Sequence, residues 1–447
     1  SNMNKKHNIV IVGGGSTYTL GIIESFLAEK EYFDIAKISF FDTDEERQKI
    51  MAEASKIILK ERAPDIEFYY TSKDKEKAYK DCDFAFIQIR EGGLKMREMD
   101  EKIPLSLGCV GQETCGAGGI SYGLRSIGSL FEIVRDIRKY SPNAWIVNYT
   151  NPAAIIALAL NREFPNDKKI FNLCDMPLGI MEALANLIGK NANDFIPEYF
   201  GLNHYGWFTA LYNKEGRNLM PDILKLLTKE NIDTHKLNIE KSTEKSWEDT
   251  YSHLVTMCKD MPGSIPSTYF QYYLYPKKIV EKSDCNYTRA NEVMDHREKI
   301  EFQKARQIIS EQTSKNVQTI ADLHGRYIIQ VVNSLANNLG KTSIIIVPNN
   351  GTISCLPDDA MVEVDCYVDR RGPRPFNVKE ISTFQKALLQ NQYALESLVV
   401  ESWYNADRQK LIEALALNRT VVNFNVAQKL ADKLLEANKK WLPQFFN

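Results

Sequence analysis

Through the first 195 residues, short apolar runs alternate with stretches whose apolar positions return every three to four residues. Residues 8–12 (NIVIV) are the first such run, and residues 36–41, 84–89, 144–147 and 169–173 follow it. Between them, residues 20–30, 45–62 and 126–139 carry the helical period. Runs with no polar alternation fit strands covered on both faces. Strands alternating with helices pair in parallel through right-handed crossovers. The pattern predicts an α/β protein whose N-terminal part is a doubly wound parallel sheet.

From about residue 194 the segments lengthen and mix. A long helical stretch covers 288–310, strand-like runs cover 342–347 and 361–368, and Gly372-Pro373-Arg374-Pro375 reads as a break before a helical tail ending near Leu442. A chain of 447 residues exceeds the usual size of one hydrophobic core. The expected division is an N-terminal domain over 3–195 and a mixed α/β domain over 196–447 packed on it. No internal repeat or low-complexity tract interrupts either part.

Composition narrows the function classes. The 56 basic and 58 acidic side chains leave a net charge of −2, which argues against nucleic acid as the main partner. The longest apolar run, 153–160, stops at Asn161, too short to span a bilayer, so no membrane association is expected. Ser1-Asn2 ahead of Met3 are set aside as an expression remnant, and a strand beginning at residue 8 argues against a signal peptide. Eight scattered cysteines with no CxxC pair point to a reducing compartment, hence the cytoplasm.

Candidate chemistry lies at the strand ends. The first strand runs into Gly13-Gly14-Gly15-Ser16-Thr17 and then a helix, the setting in which glycines let a pyrophosphate approach backbone N–H groups. Tyr18 stands where G-x-G-x-x-G has its third glycine, so the loop alone is also compatible with a plain turn. Asp42, at the tip of the second strand, is placed to accept from an adenosine ribose and favours NAD. Later strands end in Arg90-Glu91-Gly92-Gly93, Asn148 to Pro152, and Asn172 to Pro177. Such residues also serve as ordinary caps, yet ligands of doubly wound sheets bind beyond these ends. Cys174 and His204 could share a divalent metal with open positions; a lone histidine is more often hydrogen-bonded structure. The aromatic run beginning at Tyr269 reads either as core packing or as a source of a tyrosine base.

Taken in order, the blocks VIVGGGSTYT (10–19), IREGGLKMREMDEKIPL (89–105), GQETCGAGG (111–119), VNYTNPAAI (147–155), CDMPLGI (174–180), GLNHYGW (201–207), YFQYYLYP (269–276), TRANEVM (288–294) and VPNNGTI (347–353) resemble glycoside hydrolase family 4 almost end to end. The resemblance implies a Rossmann-like N-terminal domain of lactate/malate-dehydrogenase type and an α+β C-terminal catalytic domain. The aspartate after Cys174 resembles the 6-phospho-α-glucosidase branch; the β-specific branch has asparagine there.

What the resemblance implies is hydrolysis of 6-phospho-α-glucosides such as maltose 6′-phosphate, by C3 oxidation, C2 deprotonation, elimination and water addition. NAD would be held by Gly13, Gly14, Gly15, Ser16, Thr17 and Asp42. Cys174 and His204 would hold Mn2+, or Co2+, Ni2+ or Fe2+. Tyr269 would be the C2 base, Glu113 the carboxylate that raises its basicity, and Asp175 the acid for the leaving oxygen. Arg97, Asn151 and Arg289 match substrate positions, an arginine fork suiting the 6-phosphate. A homodimer or homotetramer is implied as well. Two departures stand out: Leu20 replaces a proline common in relatives, and the run 322–326 differs from the family pattern. A 6-phospho-β-glucosidase, an NAD-dependent 2-hydroxyacid dehydrogenase and a non-enzymatic nucleotide sensor are the competing readings; the dehydrogenase leaves Cys174 and Tyr269 without a role.

Overall fold

The computed structural model describes residues 5–237, 245–321 and 323–447; Asp322, which opens the divergent 322–326 run, lies outside them. Nine strands form one sheet: β1 (His7–Val12), β2 (Ile35–Phe41), β3 (Glu67–Thr71), β4 (Phe84–Ile87), β5 (Trp145–Asn148), β6 (Ile170–Asn172), and, at the far end, three more. A second sheet of three antiparallel strands comprises β7 (Ile196–Leu202), β8 (Tyr205–Tyr212) and β9 (Ile265–Pro266). The remaining strands of the large sheet are β10 (Lys341–Pro348), β11 (Met361–Asp369) and β12 (Gly372–Pro375).

The spatial order β3-β2-β1-β4-β5-β6 is that of dinucleotide-binding sheets, with all five pairings parallel. The order reverses between β1 and β4, which opens a crevice at their carboxyl ends. β10 then joins β6 antiparallel, so the sheet draws its last three strands from the second half of the chain. The apolar alternation of β1 explains the double winding. Ile9 and Ile11 enter one core beside the helices Thr19–Ala28 and Glu45–Arg62, while Val10 and Val12 enter another beside Gly116–Tyr140 and Ala153–Glu163. Each such buried side chain stabilises by about 1.5–3 kcal/mol before the entropy of ordering is subtracted. The helix Glu45–Arg62 is signalled locally as well: Asp44 caps the Arg47 N–H, Glu45 and Glu46 lie in its first turn, and Lys60 and Arg62 lie in its last.

The five early strands and the helices after β1 and β2 form where the apolar runs place them. Three expectations need correction. The helix expected over 126–139 begins at Gly116; its glycines hide the helical signal, yet a Cβ at Gly118 or Gly119 would lie 2.1 or 2.2 Å from the carbonyl oxygen of Gln112 or Thr114. The stretch 288–310 is not one α-helix but Arg289–Val293, a π-helical turn at Met294–Glu298, and Lys299–Glu311. Gly372 to Pro375 does not break the chain: it forms β12, at the sheet edge, where missing proline N–H groups cost no ladder bond. No helix among the described residues is long and apolar enough to cross a membrane.

Candidate active site

At the crevice, Gly13 turns with φ +100° and its N–H donates to the Phe41 carbonyl at 2.7 Å. A Cβ there would lie 2.4 Å from the Gln88 oxygen, and one on Gly14 would meet Phe40 at 2.8 Å. The loop therefore admits no side chain at either position. Asp42 sits beneath it, accepting from the Gly15 N–H at 2.9 Å and from the Asp44 N–H at 2.9 Å. Burial pushes this carboxyl upward against those two donors. Ser16 caps the Tyr18 N–H, and the helix Thr19–Ala28 starts directly behind. Glycines, a helix N-terminus and an acidic strand tip are thus in contact, and they fit a dinucleotide.

Beyond β6, Leu173 leads to Cys174 and Asp175, the latter preceding the helix Met176–Leu187. The two-residue turn of the β7–β8 hairpin is Asn203-His204, with His204 at φ +62°, a conformation uncommon for a residue with a Cβ and typical of functional positions. That turn brings His204 Nε2 to 3.4 Å from Cys174 Sγ. The Tyr269 ring stacks on the imidazole, centroids 3.8 Å apart. On the other side of the ring, Nδ1 lies 3.1 Å from Thr114 Oγ1. Four residues separated by up to 155 positions, Thr114 to Tyr269, therefore form one contact cluster.

Glu113, the neighbour of Thr114, connects this cluster to the arginines. Its Oε2 accepts from Arg90 Nη1 at 2.9 Å and lies 2.9 Å from Arg97 Nε. Burial alone would raise this carboxyl, but Arg97, Arg90 and Arg297 together hold it at about 2. Arg97 is also paired with Glu101 at 2.8 Å, and Glu101 accepts the Ala290 N–H at 2.8 Å. That carboxylate clamps the short helix bearing Arg289 onto the helix Gly93–Ser106 bearing Arg97. Arg289 pairs with Glu292 at 3.1 Å. Asn151 is half-buried just beyond the exit of β5.

The electrostatics suit a cation. Burial drives His204 down to about 4, against Glu113 and Asp175, so the imidazole is neutral. Burial and the nearby carboxyls of Glu363 and Asp175 push the Cys174 thiol up, and burial with Cys174 pushes up the Tyr269 phenol. No group of three or more His, Cys, Asp or Glu side chains among the described residues is arranged to hold a metal. A thiol and an imidazole converging at 3.4 Å instead offer two donors and leave the rest of a coordination shell for oxygens of a bound molecule.

Comparison with known proteins shows the family. The family 4 glycosyl hydrolase model matches residues 8–190, and the family 4 glycosyl hydrolase C-terminal domain matches residues 199–421. The chain belongs to glycosyl hydrolase family 4. Maltose-6′-phosphate glucosidase MalH of Clostridium acetobutylicum is 45% identical over 446 residues, 98% of this chain and 99% of its own length. A probable 6-phospho-beta-glucosidase of Bacillus subtilis is 30% identical over 455 residues, 100% of this chain and 99% of its own. The crystal structure of a 6-phospho-alpha-glucosidase from gut microorganisms in complex with NAD and Mn2+ has a TM-score of 0.95 at 45% identity, covering 98% of this chain and 99% of that one. A second, in complex with NAD and glucose-6-phosphate, has a TM-score of 0.94 at 39% identity over 98% and 99%.

This family 4 chain contains site residues that the sequence did not disclose. Arg90 stood out only as a strand end, yet it pairs with Glu113 at 2.9 Å, as closely as Arg97 does. Asn203 Nδ2 donates to the buried Glu363 Oε2 at 3.1 Å, and Tyr199 OH to Glu363 Oε1 at 3.2 Å, which fixes the hairpin turn from β11. Arg297, on the π-helical turn, donates to Tyr18 OH at 3.2 Å and so touches the glycine loop. The pairs are 160 and 279 positions apart, and no local spacing marks them.

Proposed function

We propose that the protein is an NAD- and divalent-metal-dependent 6-phospho-α-glucosidase acting on substrates such as maltose 6′-phosphate. The observation that carries the reading is the Cys174–His204–Tyr269 cluster, with Asp175 next in sequence and an arginine group reached through Thr114 and Glu113, in a chain whose first strand ends in a dinucleotide-type loop. The α assignment rests on the 45% identity to a maltose-6′-phosphate glucosidase against 30% for the β-specific relative, and on aspartate following Cys174. Mn2+ and NAD are the expected cofactors, as in the complexed relative.

In this reading Gly13, Gly14, Gly15, Ser16, Thr17 and Asp42 hold the dinucleotide, and Cys174 Sγ and His204 Nε2 hold the cation. When bound, NAD supplies a reversible oxidant for the sugar C3, and the cation supplies positive charge that favours ionisation of nearby acids. Tyr269, stacked on His204, takes the C2 proton. Its own environment keeps the phenol protonated, so its basicity depends on the occupied site. Glu113, ionised throughout the physiological range, adds a negative charge that favours proton uptake by Tyr269. Asp175, at the mouth of the helix Met176–Leu187, protonates the departing oxygen. Arg97, Arg289 and Asn151 orient the sugar 6-phosphate. A direct displacement would instead need two carboxylates flanking the bond.

Residues 3–195 bind the cofactor and 196–447 complete the catalytic domain, although β10–β12 return to the same sheet. Eight free cysteines support a reducing, cytoplasmic setting, and a homodimer or homotetramer is the expected assembly. The test is hydrolysis of p-nitrophenyl α-glucoside 6-phosphate with NAD, Mn2+ and reductant, beside the β anomer. Turnover of the α anomer supports the assignment. Turnover of the β anomer alone, or inactivity on both, rejects it. Net accumulation of NADH would instead favour the dehydrogenase reading.

A further inference from the structure

Gln112, Thr114 and His204 form a chain of hydrogen bonds whose direction can be deduced. Gln112 Oε1 accepts the backbone N–H of Thr114 at 2.6 Å and of Cys115 at 2.7 Å. Two N–H donors at one atom require that atom to be the carbonyl oxygen of the side chain. Thr114 Oγ1 lies 3.1 Å from the same oxygen. A carbonyl oxygen cannot donate, so a bond between these two oxygens requires the hydroxyl proton to point to Gln112. The hydroxyl oxygen then has only lone pairs for His204 Nδ1, 3.1 Å away. That contact is a bond only if Nδ1 carries the proton.

We propose that Thr114, oriented by Gln112, is a positioning residue that fixes His204 as the Nδ1–H tautomer and aims the Nε2 lone pair at the Cys174 side. The inference rests on the reading of His204 as a metal ligand. The opposite tautomer would draw the hydroxyl proton to Nδ1 at the cost of the Thr114–Gln112 bond and would present an N–H to the cation. The proposal explains why the segment 111–119 is so tightly built. A Cβ at Gly111 or Gly118 would lie 2.1 Å from the Glu101 or Gln112 carbonyl oxygen, and one at Gly119 2.2 Å from that of Thr114. The packing leaves the Gln112–Thr114 hook little freedom. It also fits the contact at the other ring nitrogen, where the Cys174 thiol can donate to Nε2 at 3.4 Å. Hydrogen-bond partners of ligand imidazoles change metal affinity by about 10- to 100-fold when removed.

The experiment compares the parent enzyme with Thr114→Val, Thr114→Ser and His204→Ala. Mn2+ is titrated into the NAD-loaded proteins by electron paramagnetic resonance. Separately, long-range 15N–1H spectra of histidine-labelled, metal-free protein report the His204 tautomer. Parent and Thr114→Ser should show Nδ1–H and bind Mn2+ alike. Thr114→Val should lose the Nδ1–H signature and bind Mn2+ roughly 10- to 100-fold more weakly, with NAD affinity unchanged. An Nε2–H tautomer in the parent, or unchanged Mn2+ affinity in Thr114→Val while His204→Ala loses it, overturns the proposal. If His204→Ala itself binds Mn2+ normally, the metal-site reading fails, and the tautomer spectra alone decide whether Thr114 directs the ring.

Discussion

Replacing Glu113 by glutamine leaves the shape of the side chain and removes the anion between Arg90 and Arg97. The cost can be worked from the carboxyl itself. Its ordinary value of 4.5 falls to about 2 in the folded protein, because Arg97, Arg90 and Arg297 outweigh the effect of burial. At about 1.4 kcal/mol per tenfold change, that fall corresponds to ~3 kcal/mol of stability. The side chain is only 15% exposed, so solvent screening takes little of this away. Removing one partner of a buried ion pair typically costs about 3–5 kcal/mol, so two independent routes agree. The folded value is depressed, so the contribution is complete above pH 4.5 and is lost as pH falls through 4.5 toward 2. Urea unfolding of the parent and Glu113→Gln should differ by about 3 kcal/mol at pH 7 and by less than half of that at pH 3. A Glu113→Gln protein as stable as its parent at pH 7, or a difference that persists undiminished at pH 3, would refute the electrostatic account of this cluster.

Other changes have equally definite outcomes. Glu396 is 4% exposed with Gln392 as its hydrogen-bond partner at 3.2 Å, and burial lifts its carboxyl to about 8. Its raised value penalises folding as pH climbs from 4.5 to 8, so Glu396→Gln should stabilise by about 3 kcal/mol at pH 7 and by nothing at pH 4; thermal melts across that range check it. Gly13→Ala forces a Cβ to within 2.4 Å of the Gln88 oxygen at φ +100°, so a calorimetric NAD titration should show at least tenfold weaker binding. Gly118→Ala drives a Cβ to 2.1 Å from the Gln112 backbone carbonyl oxygen and should cost ~1–3 kcal/mol of stability; displacing that backbone should also lower Mn2+ affinity if the Gln112 side chain orients Thr114 as proposed.

The parallel strands β1, β2, β4, β5 and β6 were legible because they read as unbroken apolar runs, whereas β3 (EFYYT) was not, because it is a partly exposed edge strand with no such run. The β7–β8 hairpin was not legible. Most of its residues are buried whichever way they point, so the two-residue alternation that marks a hairpin is missing. β12 escaped because two prolines look like a break until the strand is known to lie at an edge. In the site, Gly13 and Asp42 announce themselves by local spacing, and Cys174, His204 and Tyr269 by membership of recognisable blocks. The residues that hold them in place do not. Thr114 and Glu363 act through hydrogen bonds to partners 90 to 164 positions away, Gln112 acts only on its near neighbours, and each is an ordinary polar residue in its own neighbourhood. The break in the helix near Arg297 is hidden for a similar reason: a π-helical turn inserts one residue without changing the helical character of the sequence.

The central claim is that glycoside cleavage proceeds through loss of the C2 proton to Tyr269. It is tested most directly by hydrolysing p-nitrophenyl α-glucoside 6-phosphate in D2O with NAD and Mn2+, and reading the glucose 6-phosphate product by proton NMR. Deuterium at C2 in the parent, with incorporation greatly slowed in Tyr269→Phe, is the result the account predicts. Brisk hydrolysis that leaves protium at C2 would contradict it.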